Sequence, residues 1–158
     1  RYRRPLTLVY LDLDGFKAIN DQLGHDQGDI ALRKIARRLL KAVRDADTVA
    51  RIGGDEFFVL AHDIGSPENA GQLVDKLFAF IEMPISALPT HTRISASIGV
   101  CLFRGNEKEG EDADQIIRLA DHAMYRAKAA GKGRFAFAHQ SGPPLEAQRR
   151  AQGKNPPA

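Results

Sequence analysis

The chain has 158 residues, of which 43% are hydrophobic and 27% charged, and its net charge is +3 at pH 7. These values are ordinary for one globular domain and argue against a strongly basic nucleic-acid-binding protein. The single cysteine, Cys101, excludes an intramolecular disulfide, so we expect a reducing, cytoplasmic location. No apolar stretch approaches the ~20 residues of a membrane-spanning helix. We therefore expect no membrane contact by this domain itself.

The first half of the chain predicts a strand, two helical pieces and a hairpin. Residues 5–14 (PLTLVYLDLD) form an apolar run that ends in acids, as in a central strand buried on both faces. A short helical piece ends at Gly24, and apolar residues at helical spacing over 32–43 predict a longer helix. Two short apolar runs on either side of Gly53–Gly54 predict a β-hairpin.

The second half predicts two more helices and two strands. Ser66 and Pro67 predict the start of a helix that continues to Ile81. In residues 94–100 apolar residues alternate with serine and glycine, which predicts a strand with unlike faces. A third long helix ends at Gly131, and residues 134–139 (RFAFAH) predict a last short strand.

This order of elements predicts an α+β fold. Its first six elements match the split βαβ arrangement, which is ferredoxin-like or palm-type, with a central, mostly antiparallel sheet flanked by helices. Residues 140–158 are polar and rich in Pro, Gly and Ala, so we expect one domain over 1–139 and a flexible tail or linker after it. The chain begins at Arg1, almost inside a strand, and we expect it to be a fragment of a longer protein.

Two acidic segments that are far apart in the sequence meet in such a fold. The first strand lies beside the hairpin, so Asp12 and Asp14 should approach Asp55 and Glu56. Clustered carboxylates repel unless a cation neutralises them, and Mg²⁺ often lies between carboxylates and substrate phosphates. Glycines at 53–54 would let a phosphate approach the backbone. The residues alone leave open a plain hairpin turn with solvated acids.

Several motifs that follow one another along the chain are typical of one protein family. They are D-x-D-x-F-K-x-x-N-D at 12–21, G-H-x-x-G-D at 24–29, G-G-D-E-F at 53–57, S-x-G-V at 97–100 and A-D-x-A-M-Y-x-A-K at 120–128. In this order and spacing the chain resembles the GGDEF domain of diguanylate cyclases, over about residues 5–139. The extra segment that normally precedes the first strand in this family is missing here.

The resemblance implies a nucleotidyltransferase of bacterial second-messenger signalling. Two GTP molecules would condense to cyclic di-GMP with release of two pyrophosphates. Each domain would bind one GTP, so that a homodimer is needed for activity, and no nucleic acid takes part. Cyclic di-GMP would act as product and as inhibitor.

The resemblance also implies the residues of the metal site. Asp12, Asp55 and the backbone carbonyl of Leu13 would bind Mg²⁺ or Mn²⁺. Glu56 would assist metal binding or deprotonate the 3′-hydroxyl, and the sequence does not decide between the two.

Two neighbouring positions belong with this set. The glycines at 53–54 would form part of the catalytic loop. For Asp14 we keep two roles open, one in function and one in local hydrogen bonds that shape the loop.

The implied substrate contacts lie in three other segments. Asn20 and Asp29 would read guanine; the alternatives are a plain loop amide for Asn20 and a helix N-cap for Asp29. His25 would shape the loop between them; the alternative is a role as a base. The triphosphate would meet a set of backbone amides and ammonium groups, at Phe16, Lys17, Lys128 and Lys132. For the lysines the alternative is a solvated helix end.

Arg44 and Asp47 match the family's R-x-x-D inhibitory site for cyclic di-GMP. The alternative is a helix-end ion pair. Lys76 or Arg93 are candidates for a second cation in that site.

Two other functions remain open from the sequence. One is a catalytically silent module that binds GTP or cyclic di-GMP and signals to a partner domain. The other is a different nucleotidyl enzyme on a related palm fold.

Overall fold

The computed structural model describes residues 4–89, 91–103 and 113–138 and the backbone of 148–149. In chain order the elements are β1 (Leu6–Asp14), α1 (Phe16–Leu23), α2 (His25–Ala42), β2 (Thr48–Gly53), β3 (Glu56–His62), α3 (Pro67–Ile81), β4 (Ser95–Phe103), α4 (Ala113–Ala129), β5 (Arg134–Phe137) and β6 (Gln148–Arg149).

The strands form one sheet in the order β2-β3-β1-β4-β5-β6. β4 and β5 are parallel, and the other neighbours are antiparallel. The predicted α+β fold with a mostly antiparallel sheet is confirmed. β1 lies between β3 and β4, so its backbone is paired on both edges and its C-terminal acids emerge at the centre of the sheet.

Both faces of the sheet are covered. Val9 and Leu11 pack in the larger core with α2 and α3, whereas Leu8 and Tyr10 pack with α4 on the other face. This double burial is the reason for the almost continuous apolar run of β1. No helix in the described ranges has both the length and the apolarity that a bilayer crossing requires.

β4 differs from the prediction. Unlike faces were expected, yet every residue from Ala96 to Cys101 is buried, because α4 covers the face that was expected to be polar. Gly99 makes this close contact possible. A Cβ there would lie 1.9 Å from the carbonyl oxygen of Ala120 and 2.4 Å from the amide nitrogen of Met124.

The start of α2 also differs from the prediction. Gly24, with φ +87°, makes the break between α1 and α2, and the helix begins at His25. His25 therefore lies in a helix and not in a loop. Asp29 lies inside α2, so the alternative that it caps the helix is wrong. The predicted cap of α3 is confirmed, since Ser66 accepts a hydrogen bond from the Asn69 amide (3.2 Å).

The described part of the predicted tail is small. Gln148 and Arg149 pair with Arg134 and Phe135 of β5 through their backbones. The domain boundary near residue 139 stays a prediction, because most of the tail lies outside the described residues.

We expect Gly99→Ala to lower the free energy of unfolding by about 2–4 kcal/mol, because the new methyl group meets backbone atoms that cannot move aside cheaply. Gly53→Ala is the matched control, since a Cβ at this strand glycine would meet nothing within 4 Å. We expect the control to change stability by less than about 0.5 kcal/mol. Urea denaturation of both variants measures this, and similar losses in the two would contradict the close contact between α4 and β4.

Candidate active site

The tip of the β2–β3 hairpin is held against the end of β1. Gly54 and Asp55 form the turn, and Gly54 has φ +50°, a conformation that glycine adopts without strain. The Arg51 Nε donates to the Gly54 carbonyl at 2.9 Å. The Leu13 amide donates to the Asp55 carbonyl at 3.1 Å, which fixes the tip beside the central strand.

This turn brings the predicted acids together. Asp12 lies directly opposite Glu56 in the β1–β3 ladder and is buried, with 7% of its surface exposed. Burial raises the pKa of Asp55, and the neighbouring Asp12 carboxylate raises it further. Its own backbone amide and Lys128 act in the opposite direction. The structure thus places Asp12, Asp55 and Glu56 in one crowded acidic site.

Lys128, in the last turn of α4, supplies a cation to this site. Its ammonium group donates to Asp12 Oδ2 in an ion pair, so it is not a solvated helix-end lysine. The hydrogen bond to Asp12 raises the pKa of Lys128 despite the opposing effect of burial, and the charges of Asp12, Asp14 and Asp55 add to the increase. The acids therefore already attract a positive charge to the end of β1.

Asp14 connects three elements at this end of the sheet. Its carboxylate accepts from the Ser97 hydroxyl at 2.9 Å and from the Gly133 amide at 2.9 Å. These partners are distant in the sequence, so the contacts are not the local hydrogen bonds expected for Asp14. They hold the loop after α4 against β1, and this loop carries Lys132, an exposed residue with φ +61°.

Tyr10 was not predicted as a site residue. Its hydroxyl donates to Glu56 Oε2 at 3.1 Å, and its ring packs edge-on against Phe58 with centroids 4.6 Å apart. Burial, followed by the Glu56 carboxylate, raises the pKa of Tyr10 to about 12. The only signal in the sequence is its spacing two residues before Asp12, which puts both side chains on one face of β1.

The predicted guanine-reading residues lie where α1 meets α2. Asn20 belongs to α1, and its carboxamide lies over Gly28 of α2, next in sequence to the exposed Asp29. α1 begins after Gly15 (φ +82°), and among the described residues no side chain caps its first amides. Phe16 at this end is buried, and Lys17 is exposed.

Arg44 and Asp47 lie at the other end of the hairpin. Asp47 is six residues before Gly53, or about 20 Å at ~3.3 Å per strand residue. Its Oδ2 accepts from the Arg44 amide and its Oδ1 from the His62 amide, both at 3.0 Å. Asp47 thus contacts the backbone of Arg44, and the helix-end ion pair considered from the sequence does not appear in the described residues.

The two candidates for the second inhibitory cation are separated. Lys76 is exposed on α3, whereas the exposed Arg93 precedes β4 at the end of the sheet that holds Asp14. Within one chain, Arg93 therefore lies at the opposite end of the sheet from Arg44.

The donor set fits a hard divalent cation. Within the described ranges, no three His, Cys, Asp or Glu side chains are grouped to hold a metal ion by themselves. Mg²⁺ does not need such a group, because it binds through one or two carboxylates together with phosphates and waters. The Asp12 and Asp55 carboxylates repel each other and share a cationic neighbour, Lys128, which is the electrostatic setting in which a metal is favoured.

Comparison with known proteins shows the family of this chain. Residues 1–134 match the family model described as diguanylate cyclase, GGDEF domain. The chain is 41% identical to MucR of Pseudomonas aeruginosa, a bifunctional diguanylate cyclase/cyclic di-GMP phosphodiesterase, over 87% of this chain and 20% of MucR. It is 42% identical to the diguanylate cyclase DgcP of the same organism, over 84% of this chain and 19% of DgcP. The chain thus spans about a fifth of these relatives.

Among solved structures, the chain is similar to the GGDEF domain of TpbB (YfiN) from Pseudomonas aeruginosa. The TM-score is 0.78 at 36% identity, over 89% of this chain and 86% of that one.

We expect Asp55→Asn to stabilise the chain at neutral pH. Because the folded-state pKa of Asp55 lies above its ordinary value of 3.8, ionisation of this group costs stability above the folded pKa. The cost disappears as the pH falls towards the unfolded value. The gain should be below about 1 kcal/mol, since Asp55 is only partly buried and solvent screens its charge, and it should shrink on acidification.

Urea denaturation at several pH values measures this gain. Asp12→Asn is the control: it removes the partner of Lys128, so it should not stabilise the chain at neutral pH. A gain from Asp55→Asn that grows as the pH falls would contradict the raised pKa.

Proposed function

The chain belongs to the GGDEF domain family of diguanylate cyclases, and on this basis we propose that it condenses two GTP molecules into cyclic di-GMP and two pyrophosphates. We assign the activity to residues 1–139 and place it in the cytoplasm. The observation that carries the proposal is the bond from the Leu13 amide to the Asp55 carbonyl. It sets two carboxylates beside an open glycine turn, where a triphosphate can approach.

The chain offers positive groups for the triphosphate on two sides of this turn. The uncapped amides at the start of α1, from Phe16 onwards, form one side, as helix N-termini do for phosphates. Lys17 extends from the same turn of the helix. Lys128 and Lys132 form the other side, since α4 and its following loop end beside Asp12 and Asp14.

The acids have separate roles in the proposal. Asp12, Asp55 and the Leu13 carbonyl would hold Mg²⁺ or Mn²⁺, and the bound cation would offset phosphate charge and polarise the phosphoryl group. Glu56 accepts the proton of the attacking 3′-hydroxyl or assists in binding the metal. Tyr10 holds one Glu56 oxygen by a hydrogen bond, which orients the carboxylate and leaves the second oxygen to act.

A single chain provides half of a reaction centre. The product contains two nucleotides, and each 3′-hydroxyl attacks the α-phosphate of the other GTP. The described part of one chain has one acidic turn and one α1–α2 corner for guanine. We therefore propose that two chains face each other with their hairpin tips together, and that the homodimer is the active species.

We expect Asp55→Asn to lower the rate of cyclic di-GMP formation by about a hundredfold or more, because a group that stabilises charge at the phosphate is lost. The assay uses the chain fused to a dimerising helix, with GTP and Mg²⁺, and identifies the product by mass. Asp75→Asn is the control, since Asp75 is an exposed carboxylate on α3. Its activity should match that of the parent.

Two results would contradict the proposal. A different cyclised nucleotide would indicate another nucleotidyl enzyme. GTP binding without turnover, also in a longer chain that includes the segment which precedes the first strand in this family, would favour the silent binding module.

We also propose that cyclic di-GMP inhibits the enzyme at Arg44 and Asp47. The exposed Arg44 guanidinium can make bidentate contacts to phosphate or to the Hoogsteen edge of guanine. Each Asp47 oxygen accepts one backbone amide and keeps a second lone pair for a guanine donor. The site lies about 20 Å from the glycine turn, so the product would act by holding chains in an unproductive arrangement.

We expect Arg44→Ala to weaken product inhibition about tenfold or more, through loss of charge-assisted hydrogen bonds, and to leave the initial rate unchanged. Arg44 is preferable to Asp47 for this test, because Asp47 also holds the turn after α2. Lys41→Ala, which removes an exposed cation in the last turn of α2, is the control. Equal inhibition of the parent and Arg44→Ala in a cyclic di-GMP titration would contradict the assignment.

A further inference from the structure

Gly28 occupies a position inside a helix, where most other residues would make the helix more stable. It is the fourth residue of α2, and its φ is not among the positive values of this chain. Glycine inside a helix is less favourable than alanine because it has more backbone entropy to lose. The backbone conformation therefore gives no reason for a glycine at this position.

The reason lies in the neighbouring helix. A Cβ at Gly28 would lie 1.8 Å from Oδ1 and 2.9 Å from Cγ of Asn20, and 3.3 Å from Cζ of Phe16. Phe16 is buried in the core, so its ring has little freedom. Any side chain at position 28 must therefore displace the Asn20 carboxamide.

We propose that Gly28 is a specificity-determining residue: by having no side chain, it seats the Asn20 carboxamide next to Asp29 and so sets the preference for guanine over adenine. The inference rests on the proposed function. A carboxamide both donates and accepts, and a carboxylate accepts from two donors. Guanine presents the matching N1–H, N2 amino and O6 groups, whereas adenine leaves these partners unpaired, which polar sites penalise strongly.

The chain offers a matched control for a glycine substitution. Gly71 is the fifth residue of α3, also has no positive φ, and a Cβ there would meet nothing within 4 Å. Gly71→Ala should therefore show the effect of helix propensity alone.

The first arm of the experiment measures binding without turnover. Calorimetry with Mg²⁺ compares the α,β-methylene analogues of GTP and ATP on the full chain. We expect Gly28→Ala to reduce the preference for guanine about tenfold, as the loss of a hydrogen bond would. Asn20→Ala should reduce the preference for guanine to a similar extent, and the Asn20→Ala/Gly28→Ala double variant should reduce it little further. Gly71→Ala should keep the parent preference, and an unchanged preference in Gly28→Ala would overturn the inference.

The second arm measures packing independently of any nucleotide. Gly71→Ala should raise Tm by about 3 °C. In the parent chain, Gly28→Ala should raise Tm clearly less than Gly71→Ala does. In the Asn20→Ala chain, which lacks Oδ1 and Cγ at position 20, Gly28→Ala should raise Tm more than it does in the parent. An equal change in Tm from Gly28→Ala in the parent and in the Asn20→Ala chain would overturn the inference that Gly28 makes room for the Asn20 carboxamide.

If the proposed function were wrong, the two arms would give a different pair of results. The parent would then bind neither analogue while the coupling in Tm between positions 20 and 28 persisted. That result would overturn the role of Gly28 in guanine selection and leave the packing intact.

Discussion

The hydrogen bond from the Leu13 amide to the Asp55 carbonyl joins the hairpin tip to the most buried strand of the sheet. The outer strand β2 is exposed along most of its length and would not fix the tip alone. β1 is held on both edges, by β3 and by β4. This bond attaches a surface turn to a strand of the core, and the Asp12 and Asp55 carboxylates come together although their charges repel.

The second half of the site depends on how closely α4 approaches the sheet. Gly99 lets the helix backbone lie against β4, and Asp14 ties the following loop to β1 through Gly133. These contacts bring the Lys128 ammonium to Asp12. A cation at the carboxylates offsets part of the cost of crowding them, but the pKa of Asp55 is still raised, first by burial and then by the Asp12 carboxylate. Perturbed carboxylates of this kind are typical of functional sites, where the arrangement that supports the reaction lowers the stability of the fold.

Much of the fold could be predicted from the sequence, because periodicity and turn residues decide which elements form and in what order. The meeting of Asp12 with Asp55 followed from the topology of the split βαβ arrangement. The partners of Asp14 did not follow, since Ser97 and Gly133 are 83 and 119 residues away.

Other features were missed for related reasons. The alternation in β4 indicated a polar face, but a pattern of small residues also suits a helix that packs closely, and α4 does so here. The hydrogen bond of Tyr10 to Glu56 depends on a register that no local pattern specifies. His25 was expected to shape a loop between Asn20 and Asp29, yet only Gly24 interrupts the two helices there.

The glycines at the hairpin tip differ in kind from those in the core. At Gly99 the neighbouring backbone leaves no room for a Cβ, so packing inside the chain accounts for the glycine. Gly54 is accounted for by its positive φ. Gly53 has neither reason: its φ is not among the positive ones, and a Cβ would meet nothing within 4 Å. Nothing within the described residues accounts for glycine at position 53, as nothing does for Gly71, but Gly53 lies at the acidic turn, where a backbone without side chains lets an outside molecule approach. A triphosphate beside Asp12 and Asp55 is the approach that our proposal specifies.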